Sequence, residues 1–307
     1  MPLAGSAFSE SLLHVSPHCL LSIGMAVHNG EKTLKKAIDS ILGQSFHEFE
    51  LIISDNQSTD GTEKICREYA KVDRRIRYIR QPFNIGAAQN FKFVFEQAGG
   101  DFFMWAACDD VRSPDFLNEN VNFLESNPDY VASTCPNCFE GQVIAEKEAI
   151  RFSIVGDMEE RFHHFFDHCW DSHGIFYSVI RTDVLRECEI PGQSFTAADW
   201  AIDLFLASRG NIHRTERGMA VFGLNGISSR VGAWRAFRNQ PIEWLLPFYR
   251  LTRYVIKLSA PLPLMARLRV LRRMLSLNMK AAFDQSHSAL YQFYCAHVKS
   301  RKRASLG

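Results

Sequence analysis

The stretch that most restricts this chain is residues 101–115, DFFMWAACDDVRSPD. An apolar run from Phe102 to Cys108 ends abruptly in two adjacent carboxylates, Asp109 and Asp110. Such a run predicts a strand buried on both faces, as at the centre of a parallel sheet. In open α/β sheets, ligands sit outside the carboxyl ends of the strands. Two acids at that edge repel each other unless positive charge lies beside them. A hard divalent cation with oxygen ligands meets that need, and a nucleotide diphosphate would share it. The residues that follow also read as a plain helix start: Ser113 can cap, Pro114 suits the first turn and Asp115 suits the dipole. That chemistry accounts for Ser113 to Asp115 but less well for the acid pair.

The flanking pattern supplies the sheet. Leu20–Val27 and Phe49–Ser54 read as buried strands, Ile76–Ile79 as a shorter one. Between them, 31–42, 62–69 and 88–97 carry helical periodicity; Leu34, Ala37, Ile38, Ile41 and Leu42 share one face. Alternating strands and helices predict stacked βαβ units and a mainly parallel α/β sheet flanked by helices. Further on, helices are expected at 114–125, 157–172, 183–187 and 197–208, and strands at 130–134, 174–180 and 219–224. Residues 1–18 lack periodicity and are expected to form a flexible arm.

Charge divides the chain unevenly. The net charge of the 307 residues is +1, yet from Arg230 onward 15 basic residues face two acids, Glu243 and Asp284. The tail is therefore +13 and the body −12. From Trp234 the chain reads as basic amphipathic helices broken at Pro241, Pro247, Pro261 and Pro263. Leu245, Phe248, Leu251, Tyr254, Val255 and Leu258 are expected on one helical face. In the next helix Leu268, Val270, Leu271, Leu275 and Leu277 accompany four arginines. Either set suits an anionic membrane surface or core packing with a solvated basic rim. No recognised nucleic-acid module accompanies the charge, so nucleic acid is not an expected partner. The sequence shows no 18-residue uncharged apolar run and no basic signal-peptide start, and its eight scattered cysteines read as reduced thiols. A cytoplasmic protein is expected, peripheral on the inner face of the membrane if the tail binds there.

Three segments in fixed order carry a resemblance: IGMAVHNGEKTLKKAIDSILGQSF, then FELIISDNQSTDGT, then NIGAAQNFKFVFEQAGGDFFMWAACDDVRSPDFL. This order resembles the family 2 glycosyltransferases, which have the GT-A fold, over about residues 20–225. The resemblance implies an inverting enzyme that moves a sugar from a nucleotide-diphosphate sugar, a UDP-sugar foremost, to a hydroxyl of a glycan or lipid-linked acceptor in surface polysaccharide or glycoconjugate synthesis. It also implies a divalent metal, Mn²⁺ or Mg²⁺. It divides the chain into a catalytic domain over 19–230 and a helical basic region over 231–307. Within the domain, 19–112 is the nucleotide-binding half and 113–230 the acceptor-side half. By the same resemblance, Ala26, His28 and Asn29 line the base pocket and Asp55 hydrogen-bonds the base. Asn84 and Asn90, with Gly86, lie beside the diphosphate. Asp109 faces the ribose or the metal's water, Asp110 ligates the metal, and Asp199 in TAADWAIDLFLASRG is the catalytic base.

Departures and rival readings stand beside these expectations. The family's first acid is Ala107 here, and its basic element after the next strand is reduced to FGLNGISSR. His28 also suits a turn, Ser58 to Gly61 are ordinary turn chemistry, and Asp199 also suits a helix first turn. Cys135 and Cys138 with His163, His164, His168, Cys169 and His173 fit no standard zinc spacing and read instead as a helix face near an acceptor pocket. A nucleotidyltransferase would need a Gly-rich triphosphate loop, which HNGEKT does not provide. A membrane-attached binding module that lost activity would account for Ala107.

Overall fold

A computed structural model describes residues 19–141, 152–171, 174–224, 237 and 240–294, with side chains to Asp284. The expected arm, His173, Arg230 and most of FGLNGISSR lie outside the described residues, as does the extreme C-terminus. The first half alternates as expected: β1 (Leu21–Val27), α1 (Leu34–Leu42), β2 (Phe49–Asp55), α2 (Thr62–Val72), β3 (Ile76–Arg80), α3 (Ala87–Glu96) and β4 (Phe102–Ala106). Next come β5 (Val111–Arg112), α4 (Phe116–Ser126), β6 (Tyr130–Thr134), β7 (Asn137–Phe139), α5 (Met158–His168), β8 (Val179–Arg181) and α6 (Thr182–Arg186). The remainder is α7 (Ala198–Arg209), β9 (Asn211–Arg214), β10 (Ala220–Phe222), α8 (Tyr249–Leu258) and α9 (Leu264–Tyr294).

Seven strands form one sheet in the order β3-β2-β1-β4-β8-β6-β9. β1 to β4 are parallel, β8 runs antiparallel to β4 and β6, and β9 is parallel to β6. In register, Val27 lies opposite Asp55 and Met25 opposite Ala106, so the carboxyl ends of β1, β2 and β4 form one edge. A smaller sheet, β5-β10-β7, is built on that edge.

β4 is buried on both faces because its side chains alternate between two cores. Phe102, Met104 and Ala106 join a layer with Leu34, Ile38, Ile65 and Phe116. Phe103 and Trp105 join a layer with Val94, Phe165, Leu204 and Val255. Trp105 is held in place there: its ring stacks on Phe176 at 4.6 Å and its N–H donates to Phe91 O at 3.0 Å. The strand stops at Ala106 rather than Cys108, and Ala107 to Asp110 make a turn.

The tail corrects one sequence expectation. Leu245 is not on α8, and it is exposed. Phe248, Leu251, Tyr254 and Val255 are buried in the core against the α7 side of the sheet, so this face covers the domain and not a membrane. On α9 the expected apolar set splits: Val270 and Leu277 are buried, Leu268 and Leu275 exposed. Arg269 pairs with Glu159 and Arg273 with Asp167, fixing α9 to α5.

The expected strand at 174–180 is also shorter. Only Val179–Arg181 pair, because Ser178 N–H and Oγ both donate to Ile175 O, at 3.0 and 2.6 Å, closing a turn. The two-residue β5, and β9 at the sheet edge, carry no sequence signal long enough to have been expected.

Candidate active site

The turn after β4 delivers the two acids to the sheet edge. Asp110 is only 4% exposed. Its Oδ1 accepts the Gly223 N–H at 3.1 Å, and its Oδ2 has no hydrogen-bond partner among the described residues. Gly223 stands there because β10, just before it, pairs antiparallel with β5, just after Asp110, setting Ala220 opposite Arg112. The Asp109 carboxylate fills the space a side chain at Gly223 would need, with Cγ 2.6 Å from the position of a Cβ. Burial pushes the Asp110 carboxyl up to about 6; the attraction of Arg112 and the Gly223 N–H oppose this, and the charge of Asp109 adds to it. Arg112 is itself buried, and its guanidinium is lowered by desolvation against the pull of Asp110. Its Nε and Nη1 lack partners among the described residues, while Nη2 reaches Trp105 O at 3.4 Å.

The later half of the chain comes near this pair at Tyr177. The short turn at 174–178 places Tyr177 beside Phe176 and Phe222, at 4.9 and 5.6 Å between rings. Its hydroxyl is raised well above the ordinary range by burial and by the charges of Asp110, Asp199 and Asp109. One phenol therefore senses the acid pair and the expected base together. Asp199 is exposed in the first turn of α7. Asp203, one turn on, is buried, and burial together with the Asp199 charge raises its carboxyl well above the ordinary range. Of the two, only Asp199 is open to an incoming molecule. Arg214 lies behind them, its Nη1 donating to Cys135 O and Asn137 Oδ1 at 2.7 Å each, and burial lowers it to about 10.

The first three strands supply a polar cleft on the same edge. His28 and Asn29 are exposed after β1, while Ala26, within it, is partly buried. His28 Nδ1 lies 2.9 Å from Asn56 O, and its Nε2 lies 3.5 Å from Asn84 Nδ2. Asn56 donates to Asn84 Oδ1 at 3.0 Å and accepts the Ile85 N–H at 2.8 Å, drawing the loop before α3 to the β2 exit. Asp55 is fully buried: Ser58 N–H, Tyr78 OH and Arg80 Nη1 donate to its two oxygens at 2.8 to 2.9 Å. Asn90 is likewise spent internally, its amide bonded to Ser54 O and Ser54 Oγ. These residues therefore gather at the carboxyl ends of β1 and β2 and in the loop and helix that follow β3, with Asp55 and Asn90 buried beneath the exposed His28 and Asn29. Asn29, Gln57 and Ala197 are the non-glycine residues at positive φ among those described. They sit after β1, after β2 and immediately before the Asp199 helix, and such backbone costs on the order of 1 kcal/mol or more each where packing enforces it.

Three residues of this site carry no signal recognised in the sequence: Arg112, Tyr177 and Gly223. Among the described residues the histidine and cysteine set does not converge. His163 pairs with Glu159 at 3.4 Å, His168 stacks on Phe152 at 4.2 Å, and Cys135 Sγ accepts from Asn120 and Thr215 at 3.1 and 3.2 Å.

A mainly parallel sheet flanked by helices, with an acid pair and a set of polar loops at its carboxyl edge, is the arrangement of the GT-A fold. The model of the family "Glycosyl transferase family 2" matches residues 22–184, and the chain belongs to that family. "Putative glycosyltransferase EpsE" of Bacillus subtilis is 37% identical over 111 residues, 36% of this chain and 40% of that protein. The chain thus spans about two fifths of that relative's length. The crystal structure of S. aureus TarS 1-349 in complex with UDP-GlcNAc matches with a TM-score of 0.61 at 17% identity, covering 83% of this chain and 71% of TarS 1-349. The mannosyltransferase PcManGT from Pyrobaculum calidifontis, in complex with GDP-Man and Mn²⁺, matches with a TM-score of 0.54 at 14% identity, over 94% and 84% of the two chains. At these identities the two structures establish the shared fold.

Proposed function

We propose that the protein transfers a sugar from a nucleoside-diphosphate sugar, a UDP-sugar foremost, to a hydroxyl of a glycan or lipid-linked acceptor, with inversion at the anomeric carbon. The observation that carries this reading is the acid pair at the carboxyl edge of the sheet: Asp110, 4% exposed, keeps an Oδ2 that no described hydrogen bond uses, with Asp109 next to it in the chain. Donor base and ribose would lie along His28, Asn29, Asn84 and Asp109, above Asp55 and Asn90. The residues present fit a divalent cation, Mn²⁺ or Mg²⁺: Asp110 offers a buried Oδ2 that no described hydrogen bond uses, beside a second carboxylate. Asp110 and Asp109 would hold it. When bound, such a cation neutralises charge on the diphosphate. Asp199 accepts the proton of the acceptor hydroxyl as that oxygen bonds to the anomeric carbon. The carbon–phosphate oxygen bond breaks in the same displacement, and the nucleoside diphosphate leaves with the electron pair. Ala107 in place of the family's first acid leaves Asp109 and Asp110 to do this work. The reading places the reaction in the cytoplasm; no described helix is long and apolar enough to cross a membrane.

The test is product analysis with UDP-glucose, UDP-GlcNAc and GDP-mannose, each with Mn²⁺ and with EDTA. Release of nucleoside diphosphate from one donor, lost in EDTA, is expected. Pyrophosphate release from a nucleoside triphosphate and sugar phosphate would identify a nucleotidyltransferase instead, and silence with a broad donor panel would favour an inactive binding module.

A further inference from the structure

A surface helix needs one apolar stripe, facing the core, with polar residues opposite. α9 has two. Ala266, Val270, Met274, Leu277 and Ala281 are buried against the domain. Leu264, Met265, Leu268, Leu275 and Met279 are 68, 63, 50, 54 and 59% exposed. At 3.6 residues per turn the second set centres on the side of the helix opposite the first, and it runs for about 22 Å. Single exposed leucines need no explanation, but five large apolar side chains aligned along one helix do.

The charges around this stripe select its occupant. Arg269 and Arg273 turn to the acids of α5 and hold the helix down. Arg272 lies within the outer stripe and Arg267 between the two stripes, and neither forms an ion pair with a described acid. From Leu264 to the C-terminus nine basic residues face one acid, Asp284, and the run ends in Lys299, Arg301, Lys302 and Arg303. A second copy of this chain would bring these cations against one another across the stripe. An anionic lipid surface accepts both components: leucine and methionine enter the acyl boundary while arginine stems reach back to the headgroups.

We propose that the outer face of α9 is a membrane-docking surface that lies in the interface of an anionic bilayer, with Leu264, Met265, Leu268, Leu275 and Met279 as its buried edge. This keeps Leu268 and Leu275 of the sets expected on sequence grounds and drops the others that are buried, Leu251, Tyr254 and Val255 on α8 and Val270 and Leu277 on α9. The inference does not depend on the glycosyl-transfer reading, because vesicle binding is measured without donor or acceptor.

The experiment is co-sedimentation of the full chain with phosphatidylcholine vesicles, with and without phosphatidylglycerol, at low and high salt. Binding should require phosphatidylglycerol and weaken with salt. Leu268→Asp with Leu275→Asp should lower partitioning by roughly tenfold or more. Arg272→Ser should lower it by roughly fivefold, the usual worth of one basic residue near an anionic surface. All three substitution sites are solvent-facing, and an unchanged melting curve shows that the variants fold. Equal binding to neutral vesicles, or full binding by the Leu268→Asp, Leu275→Asp variant, would overturn the proposal. So would a dimer in sedimentation that this variant converts to monomer while vesicle binding is absent, which would make the face a contact between copies.

Discussion

Asp110→Asn should stabilise the cation-free protein while removing its response to Mn²⁺. The magnitude follows from the carboxyl's displacement from 3.8 to about 6 on folding. At about 1.4 kcal/mol for each tenfold change in proton affinity, an ionised Asp110 costs the fold about 3 kcal/mol. The attraction of Arg112 is already contained in that balance, so asparagine, which has the shape of the protonated acid, escapes the cost without further correction. The sign is set by a folded value raised above the unfolded one. The favourable contribution of Asp110 is complete below pH 3.8 and is lost as pH rises through about 6. The variant should therefore equal the parent near pH 4, gain across the window from 4 to 6, and reach a plateau above pH 7. Urea unfolding in EDTA at intervals from pH 4 to pH 8 reads this difference directly. Added Mn²⁺ should then raise the parent's midpoint and leave the variant's unchanged. A variant less stable than the parent at pH 8, or a difference that does not vary with pH, would refute the reasoning.

Two further substitutions probe the same pocket. Asp199→Asn should bind nucleotide sugar normally and lose roughly a hundredfold or more in turnover, the usual worth of a general base. Asp203→Asn should cost far less because that buried carboxyl is already held toward its neutral form; a dead Asp203→Asn beside a normal Asp199→Asn would move the base one helical turn. Gly223→Ala should fold, since its backbone is not in the left-handed region, yet the new Cβ would meet the Asp109 carboxylate. Steady-state kinetics should show turnover down roughly tenfold or more with a higher Mn²⁺ requirement, and an unaltered requirement would show that Asp109 does not approach the cation.

Much of the first half was legible because its information is local. β4 announces itself through seven consecutive apolar residues, Phe102 to Cys108, before two acids, the pattern of a strand buried on both faces. α1 shows its face by period, and Leu34, Ala37, Ile38 and Ile41 are all buried as that period requires. The strand ends then follow, and with them the neighbourhood of His28, Asp55 and the acid pair. Periodicity alone could not tell the two destinations of the tail apart. The same pattern of leucine and valine serves a core or a bilayer, and only the packing of α8 on the sheet shows that Leu251, Tyr254 and Val255 belong to the core.

The sequence by itself determined the βαβ order, the position of the acid pair and the charge divide between body and tail, because each depends on residues close together along the chain. Only the tertiary structure decided the rest. Gly223 reaches Asp110 across 113 positions through a pairing of β5 with β10 too short to leave a pattern. Tyr177 meets the acids because a serine closes a turn where a strand was expected. Whether Asp199 or Asp203 is open to an incoming molecule depends on which side of α7 the core covers. These are contacts between distant segments, and their free energy comes from burial and hydrogen bonding that exist only after the layers have packed.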